Sequence, residues 1–180
     1  MDKKRIIKTI LIFAFFALAF YLVEIGPYSA SSVADYNNDY GTFDMKSYDS
    51  QTVREMMPYF SPEGIHVYKI YYLMDFIFIA AFLILQCYLS LVFFKWCSLR
   101  YIKIIVCIIP VLRGVFDIIE NAVLLRTLFS YPSVNDVMIN FSSYCTQAKL
   151  LMIRLWLIEI AIGIILLIAV KIKEMVKKHG

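Results

Sequence analysis

The sequence predicts an all-α integral membrane protein: a four-helix bundle with both termini cytoplasmic and a long extracytoplasmic loop between helices 1 and 2. Three observations predict it. Hydrophobic residues make up 61% of the 180 positions and charged residues 18%, with a mean hydropathy of +0.71, which is too apolar for a soluble domain of this length. Four apolar stretches, near 6–25, 68–96, 102–129 and 145–171, each supply the roughly 20 helical residues needed to cross a hydrocarbon core of about 30 Å. Lysine and arginine gather in the segments that would share one side of the bilayer. A closed β-barrel would alternate apolar and polar residues, whereas 76–94 runs without a charge.

Taken in order, the amino end carries Lys3, Lys4, Arg5 and Lys8 and leads into an apolar run from Ile6 to Val23. That run exceeds the roughly 7–15 residues of a cleavable signal core, so a retained first span is expected, with Glu24 at the outer interface. Residues 26–67 carry Asp35, Asp39, Asp44, Asp49, Glu55 and Glu63 against Lys46 and Arg54, which places them outside. Tyr28, Tyr36, Tyr40, Tyr48 and Tyr59 suit an interfacial, partly ordered loop, because tyrosine joins an apolar body to a wet tip. A short helix is expected near 50–57. Ser61, Pro62 and Glu63 read as the next helix start, by capping, fixed φ and dipole complementarity.

The second span carries Asp75 and, nearly on the same face, Gln86, with Tyr71 and Tyr72 a turn above. Lys95, Arg100 and Lys103 mark a short cytoplasmic connection to the third span, where Pro110 predicts a bend. Arg126 falls opposite the polar face and can snorkel to the interface. Tyr131 and Pro132 end the third helix, and Ser133 with Asp136 resembles a capping box for a short helical entry into the fourth span. The fourth span holds Lys149, Arg154 and Glu159, and its tail carries Lys171, Lys173, Lys177 and Lys178. Residues 131–144 contain no lysine or arginine, so every connection obeys the positive-inside rule.

Within the third span, Arg113, Asp117, Glu120 and Asn121 follow i, i+4, i+7, i+8 spacing and share one helical face. A charge at the bilayer centre costs at least about 2.5–3.5 kcal/mol, so this face should turn inward and meet partners. At 1.5 Å per residue, Asp75 and Lys149 lie roughly 10 Å below the outer surface, Glu120 and Arg154 roughly 15 Å, and Asp117 roughly 20 Å. Asp75, Arg113, Asp117, Glu120, Asn121, Lys149 and Arg154 therefore form the candidate buried polar cluster. Arg113 can reach Asp117 one turn away, which leaves Glu120 and Asp75 to meet Lys149 or Arg154 across the bundle. Neighbouring carboxylates in a low dielectric do not both ionise without such counter-charges.

Two readings follow. In one, the cluster fixes helix register in a non-enzymatic component that binds membrane lipids, or a protein partner through the outer loop 26–67. In the other, Arg113, Lys149 and Arg154 hold an anionic head group while Asp117 or Glu120 exchanges a proton, as in an outer-leaflet lipid-modifying enzyme or a small proton-coupled carrier. No cofactor and no metal is expected. His66 and His179 lie outside the spans, and Cys87, Cys97, Cys107 and Cys145 show no ligand spacing. Nucleic acid is not expected as a partner, because the lysines are explained by topology and anionic lipid.

The Arg-x-x-x-Asp-x-x-Glu-Asn run at Arg113, Asp117, Glu120 and Asn121, followed by Tyr131, Pro132 and Lys149, resembles small four-span bacterial membrane proteins that are themselves uncharacterised. The resemblance implies a multi-pass protein of the cell membrane, the inner membrane in a bacterium, and carries no activity.

Overall fold

The structure, a computed structural model, describes residues 3–97 and 99–179, with side chains to residue 176. Met1, Asp2, Ser98, Gly180 and the side chains of Lys177, Lys178 and His179 lie outside the described residues; they include part of the basic connection and basic tail counted above. Helices α1 (Lys3–Glu24), α2 (Ala30–Ala34), α3 (Ser50–Met56), α4 (Pro62–Phe93), α5 (Arg100–Ser130) and α6 (Asp136–His179) follow one another, with no strand among the described residues. Of these, α1, α4 and α6 are long and apolar enough to cross a membrane. Helix α5 is nearly as long as α4, and Arg113, Asp117, Glu120 and Arg126 interrupt its apolar run. It continues through Pro110 without a break.

Helix α5 packs on both α4 and α6, whereas α1 packs on α4 alone among the long helices. The α1–α4 seam is aromatic, with the Phe16 ring 5.8 Å from Phe78 and 5.5 Å from Phe82. Among the described residues no Cα atom of α1 comes within 8 Å of one in α6. At one end of the molecule Thr9 of α1 meets Tyr88 of α4, and Gly163 of α6 lies under Phe94, where a Cβ would sit 2.7 Å from the ring. The start of α1, the later part of α6 and the end of α4 therefore share that end, and residues 25–61 cover the opposite one.

Residues 25–61 are more ordered than the interfacial loop expected from their tyrosines. Val33, Val53 and Met57 are wholly buried, and Phe43 nearly so, each such burial contributing about 1.5–3 kcal/mol. The segment is fastened by an aromatic stack, in which Tyr68 lies between Phe60, 5.4 Å away, and Tyr72, 4.7 Å away. The Tyr68 hydroxyl accepts from the Phe43 backbone N–H at 2.8 Å. Ser61 caps α4 by accepting the Gly64 N–H at 3.1 Å. A Cβ on Gly64 would meet the Tyr36 Cβ at 2.6 Å, so the absence of a side chain there lets the segment settle on α4. Of the five loop tyrosines, Tyr48 is buried and Tyr59 exposed, with the others between.

The expected capping box at Ser133 and Asp136 is not what starts α6. Asn135 is the cap, accepting the Met138 N–H at 3.1 Å, and α6 then runs unbroken for 44 residues rather than entering through a separate short helix. Asp136 is left free to pair with Arg54 at 2.7 Å, which ties α3 to the start of α6. Asn140 adds a second tie by accepting the Ser50 N–H at 2.9 Å.

Helix α3 starts at Asp49, whose Oδ1 accepts both the backbone N–H (2.7 Å) and the hydroxyl (2.8 Å) of Thr52. Those two bonds, the backbone one first, hold the Asp49 carboxyl below its ordinary 3.8. A lowered folded-state value means the cap's contribution is complete above about pH 4 and fades as pH falls through the depressed value. Amide exchange at Thr52 is expected to accelerate over that acid range. Asp49→Asn, which still caps but does not titrate, should flatten the response at that amide.

Candidate functional site

The α5 face that carries Arg113, Asp117, Glu120 and Asn121 is buried along its whole length. Opposite it, Thr146 and Lys149 stand one turn apart on α6, also buried. The Lys149 Nζ sits between Asp117 Oδ1, at 2.9 Å, and Glu120 Oε2, at 2.7 Å. Arg113 donates from Nη1 to Asp117 Oδ2 at 2.9 Å and from Nη2 to the Ile79 carbonyl of α4 at 3.1 Å. Its guanidinium lies over the Phe82 ring, 4.6 Å from the centroid. Two cations and two carboxylates thus neutralise one another, and three helices are joined through them.

This centre is connected to the covering segment by hydroxyls. Thr146 donates to Glu120 Oε1, the Tyr48 hydroxyl is 3.5 Å from Thr146 Oγ1, and it bonds Ser142 Oγ at 2.8 Å. Burial pushes the Tyr48 phenol above its ordinary value, with the Glu120 charge adding to the effect. It stays a protonated donor across the physiological range.

Asp75 and Arg154 depart from the expected pairing. Asp75 is buried and makes no ion pair among the described residues; its Oδ2 accepts from Asn121 Nδ2 at 2.6 Å. Arg154 is exposed and does not join the cluster. The reason is helical phase: five residues beyond Lys149 is about 140° around the axis, which turns Arg154 away from α5. The remaining six candidates are brought together in the buried polar region. Gln86 is also fully buried, with neither side-chain polar atom hydrogen-bonded. One turn further along α4, Ser90 donates to Glu159 Oε1 at 2.7 Å and accepts from Trp156 Nε1 at 3.2 Å.

A cavity of about 210 Å³ opens beside the ion-paired centre. Phe20, Tyr71, Phe78 and Phe82 form its aromatic wall, Val23 and Ile153 lie on its α1 and α6 sides, and Met45 of the covering segment also borders it. Its polar lining consists of Arg113 and Lys149 together with Glu24, Asp44, Asp75 and Asp117. Both cations are already bonded to Asp117 or Glu120, so Glu24, Asp44 and Asp75 are left with no ion pair among the described residues. Asp44 is buried, with Oδ2 accepting from the Tyr71 hydroxyl at 3.0 Å and Oδ1 unpartnered. The carboxylates are spread around the wall: among the described residues no three His, Cys, Asp or Glu are grouped to hold a metal ion.

Asp44, Glu24, Thr146 and Tyr48 are the site residues that sequence reasoning missed. Thr146 carried a usable signal, since it precedes Lys149 by three positions and so shares its face. Asp44 carried none, because its place depends on how the covering segment folds back onto α4. No protein-family model matches the chain, and no curated protein or solved structure matches it.

Proposed function

We propose that the chain is a four-span protein of the cell membrane, with both termini cytoplasmic and residues 25–61 outside. Its role in this reading is to bind an amphiphile without transforming it. The fourth crossing is α5, whose exposed residues Ile104, Ile105, Ile108, Val111, Leu112, Val115 and Ile118 suit lipid while its charges turn inward. The ligand class differs from the anionic head group considered from the sequence. Arg154 is absent from the cluster, and Arg113 and Lys149 are already paired, so the cavity favours a positively charged head group such as an organic ammonium.

The observation that carries this reading is the pair of buried cavity carboxyls Asp44 and Asp75, with Glu24 at the exposed rim, none of which is in an ion pair among the described residues. Buried carboxylates are stabilised by a cation that arrives close to them. The opening between α1 and α6 lets a hydrocarbon chain remain in the lipid while its head group reaches the cavity. Asp117 and Glu120 serve as framework here, both held by Lys149. A second reading, proton-coupled exchange of the same ligand, draws support from Gln86, Ser90 and Glu159, which extend polar side chains from the cavity toward the termini.

The test uses the full chain in phosphatidylcholine nanodiscs and a spin-labelled long-chain amine, compared with the matching long-chain alcohol and carboxylate. The amine is expected to show a motionally restricted component that the other two lack. Ile153→Trp, which fills the α6 side of the opening, should reduce that component. Equal or stronger retention of the carboxylate would overturn the proposal.

A further inference from the structure

A second cavity, about 450 Å³, lies at the other end of the molecule between α1 and α4. It is lined by Arg5, Lys8 and Lys95, by the Thr9 and Tyr88 hydroxyls, and by the apolar side chains of Leu91 and Val92. None of these side chains is acidic, and none of the three cations is in an ion pair among the described residues. Thr9 and Tyr88 are bonded to each other, so two hydroxyls stand together at the junction of the helices. The three cationic side chains are exposed, as is Leu91.

We infer that this cavity is a binding site for a phosphate-bearing anion. Two cations from α1, Arg5 and Lys8, and a third just beyond the end of α4, Lys95, border one cavity. A phosphate oxygen accepts strongly from guanidinium and ammonium donors, so Arg5, Lys8 and Lys95 supply the donor set, while the Thr9 hydroxyl donates to the Arg5 carbonyl at 2.9 Å and bonds Tyr88, which fixes the wall beside them. Leu91 and Val92 add an apolar flank, the combination found where basic pockets between membrane helices hold anionic head groups. The site is independent of the carboxylate-lined cavity: the two share no residue and select opposite charges.

The same chemistry can come from a lipid head group or from a soluble phosphate ester, and the experiment separates the two. The full chain is placed in phosphatidylcholine nanodiscs containing a trace of spin-labelled phosphatidylglycerol, and retention is measured against spin-labelled phosphatidylcholine. Glycerol 3-phosphate is then titrated in. The variant Arg5→Gln/Lys8→Gln/Lys95→Gln is compared with a variant of equal charge loss outside the cavity, Lys103→Gln/Lys171→Gln/Lys173→Gln. Preference for phosphatidylglycerol is expected to fall by on the order of fivefold for each cavity cation removed, and to persist in the second variant. Loss in the first variant without competition by glycerol 3-phosphate assigns the site to lipid. Direct binding of glycerol 3-phosphate, lost in the first variant only, assigns it to a soluble ester. Equal loss in both variants, or full retention in the first, would overturn the site; in each case both proteins are first shown to elute as the wild type does on size exclusion.

Discussion

Lys149→Met is expected to destabilise the protein by about 3–5 kcal/mol, the largest effect of any single substitution in the polar centre. Its ammonium is, among the described residues, the only group that touches both Asp117 and Glu120, at 2.9 and 2.7 Å, and the residue is 3% exposed. Removing it leaves Glu120 with a hydroxyl partner and Asp117 with Arg113 alone, in a region where water does not compensate. The deficit should therefore be reversed from the acid side. Adding Glu120→Gln to Lys149→Met is expected to recover a large part of the lost stability, because it removes the carboxylate that had no other cation. The measurement is thermal or denaturant unfolding in a fixed detergent for the wild type, both single variants and the double variant. Additive losses in that cycle would mean that Lys149 and Glu120 do not act as a pair.

Asp75→Asn is expected to weaken binding of the long-chain amine about 10–150-fold with little change in stability. The figure follows from the loss of a hydrogen bond to a charged partner, about 1.5–3 kcal/mol. Stability is spared because the introduced amide oxygen still accepts from Asn121 Nδ2, the bond that Asp75 makes at 2.6 Å. Asp44→Asn should act in the same direction while keeping its bond from the Tyr71 hydroxyl. Titration of the spin-labelled amine into each variant measures both effects. Unchanged affinity in the Asp44→Asn/Asp75→Asn double variant would remove the carboxyls from ligand recognition and end the cationic reading.

The helices and the inward face of α5 were legible from the sequence because both rest on local periodicity. Arg113, Asp117, Glu120 and Asn121 fall on one side of any helix, and burying that side lets its charges meet partners on the neighbouring helices. The partners were less legible. Lys149 and Arg154 both looked like partners for the carboxylates by charge and by depths only a turn or so apart, and their angular separation is what distinguishes a buried cation from an exposed one. Asp75 was expected to find a cation, yet Asn121 meets it first, since both cations lie against Asp117. The covering segment was hardest to read. Its order depends on contacts between distant residues, such as Tyr36 on Gly64 and Tyr68 on the Phe43 amide, which leave no periodic trace in the chain. Asp44 reached the cavity by that route, and so the acid excess of the site was invisible beforehand.

Helix α6 has a mechanical consequence. Its 44 residues, at 1.5 Å each, make a rod of about 66 Å, roughly twice the thickness of a hydrocarbon core. In the proposed topology such a rod would project from both faces of the bilayer, with its two tips coupled through one continuous helix. The Arg54–Asp136 pair, the Asn140–Ser50 bond and the Tyr48–Ser142 bond hold one tip against the covering segment, so a displacement of that segment would be carried along the rod to the lysine-bearing tip, a lever that needs no change of secondary structure.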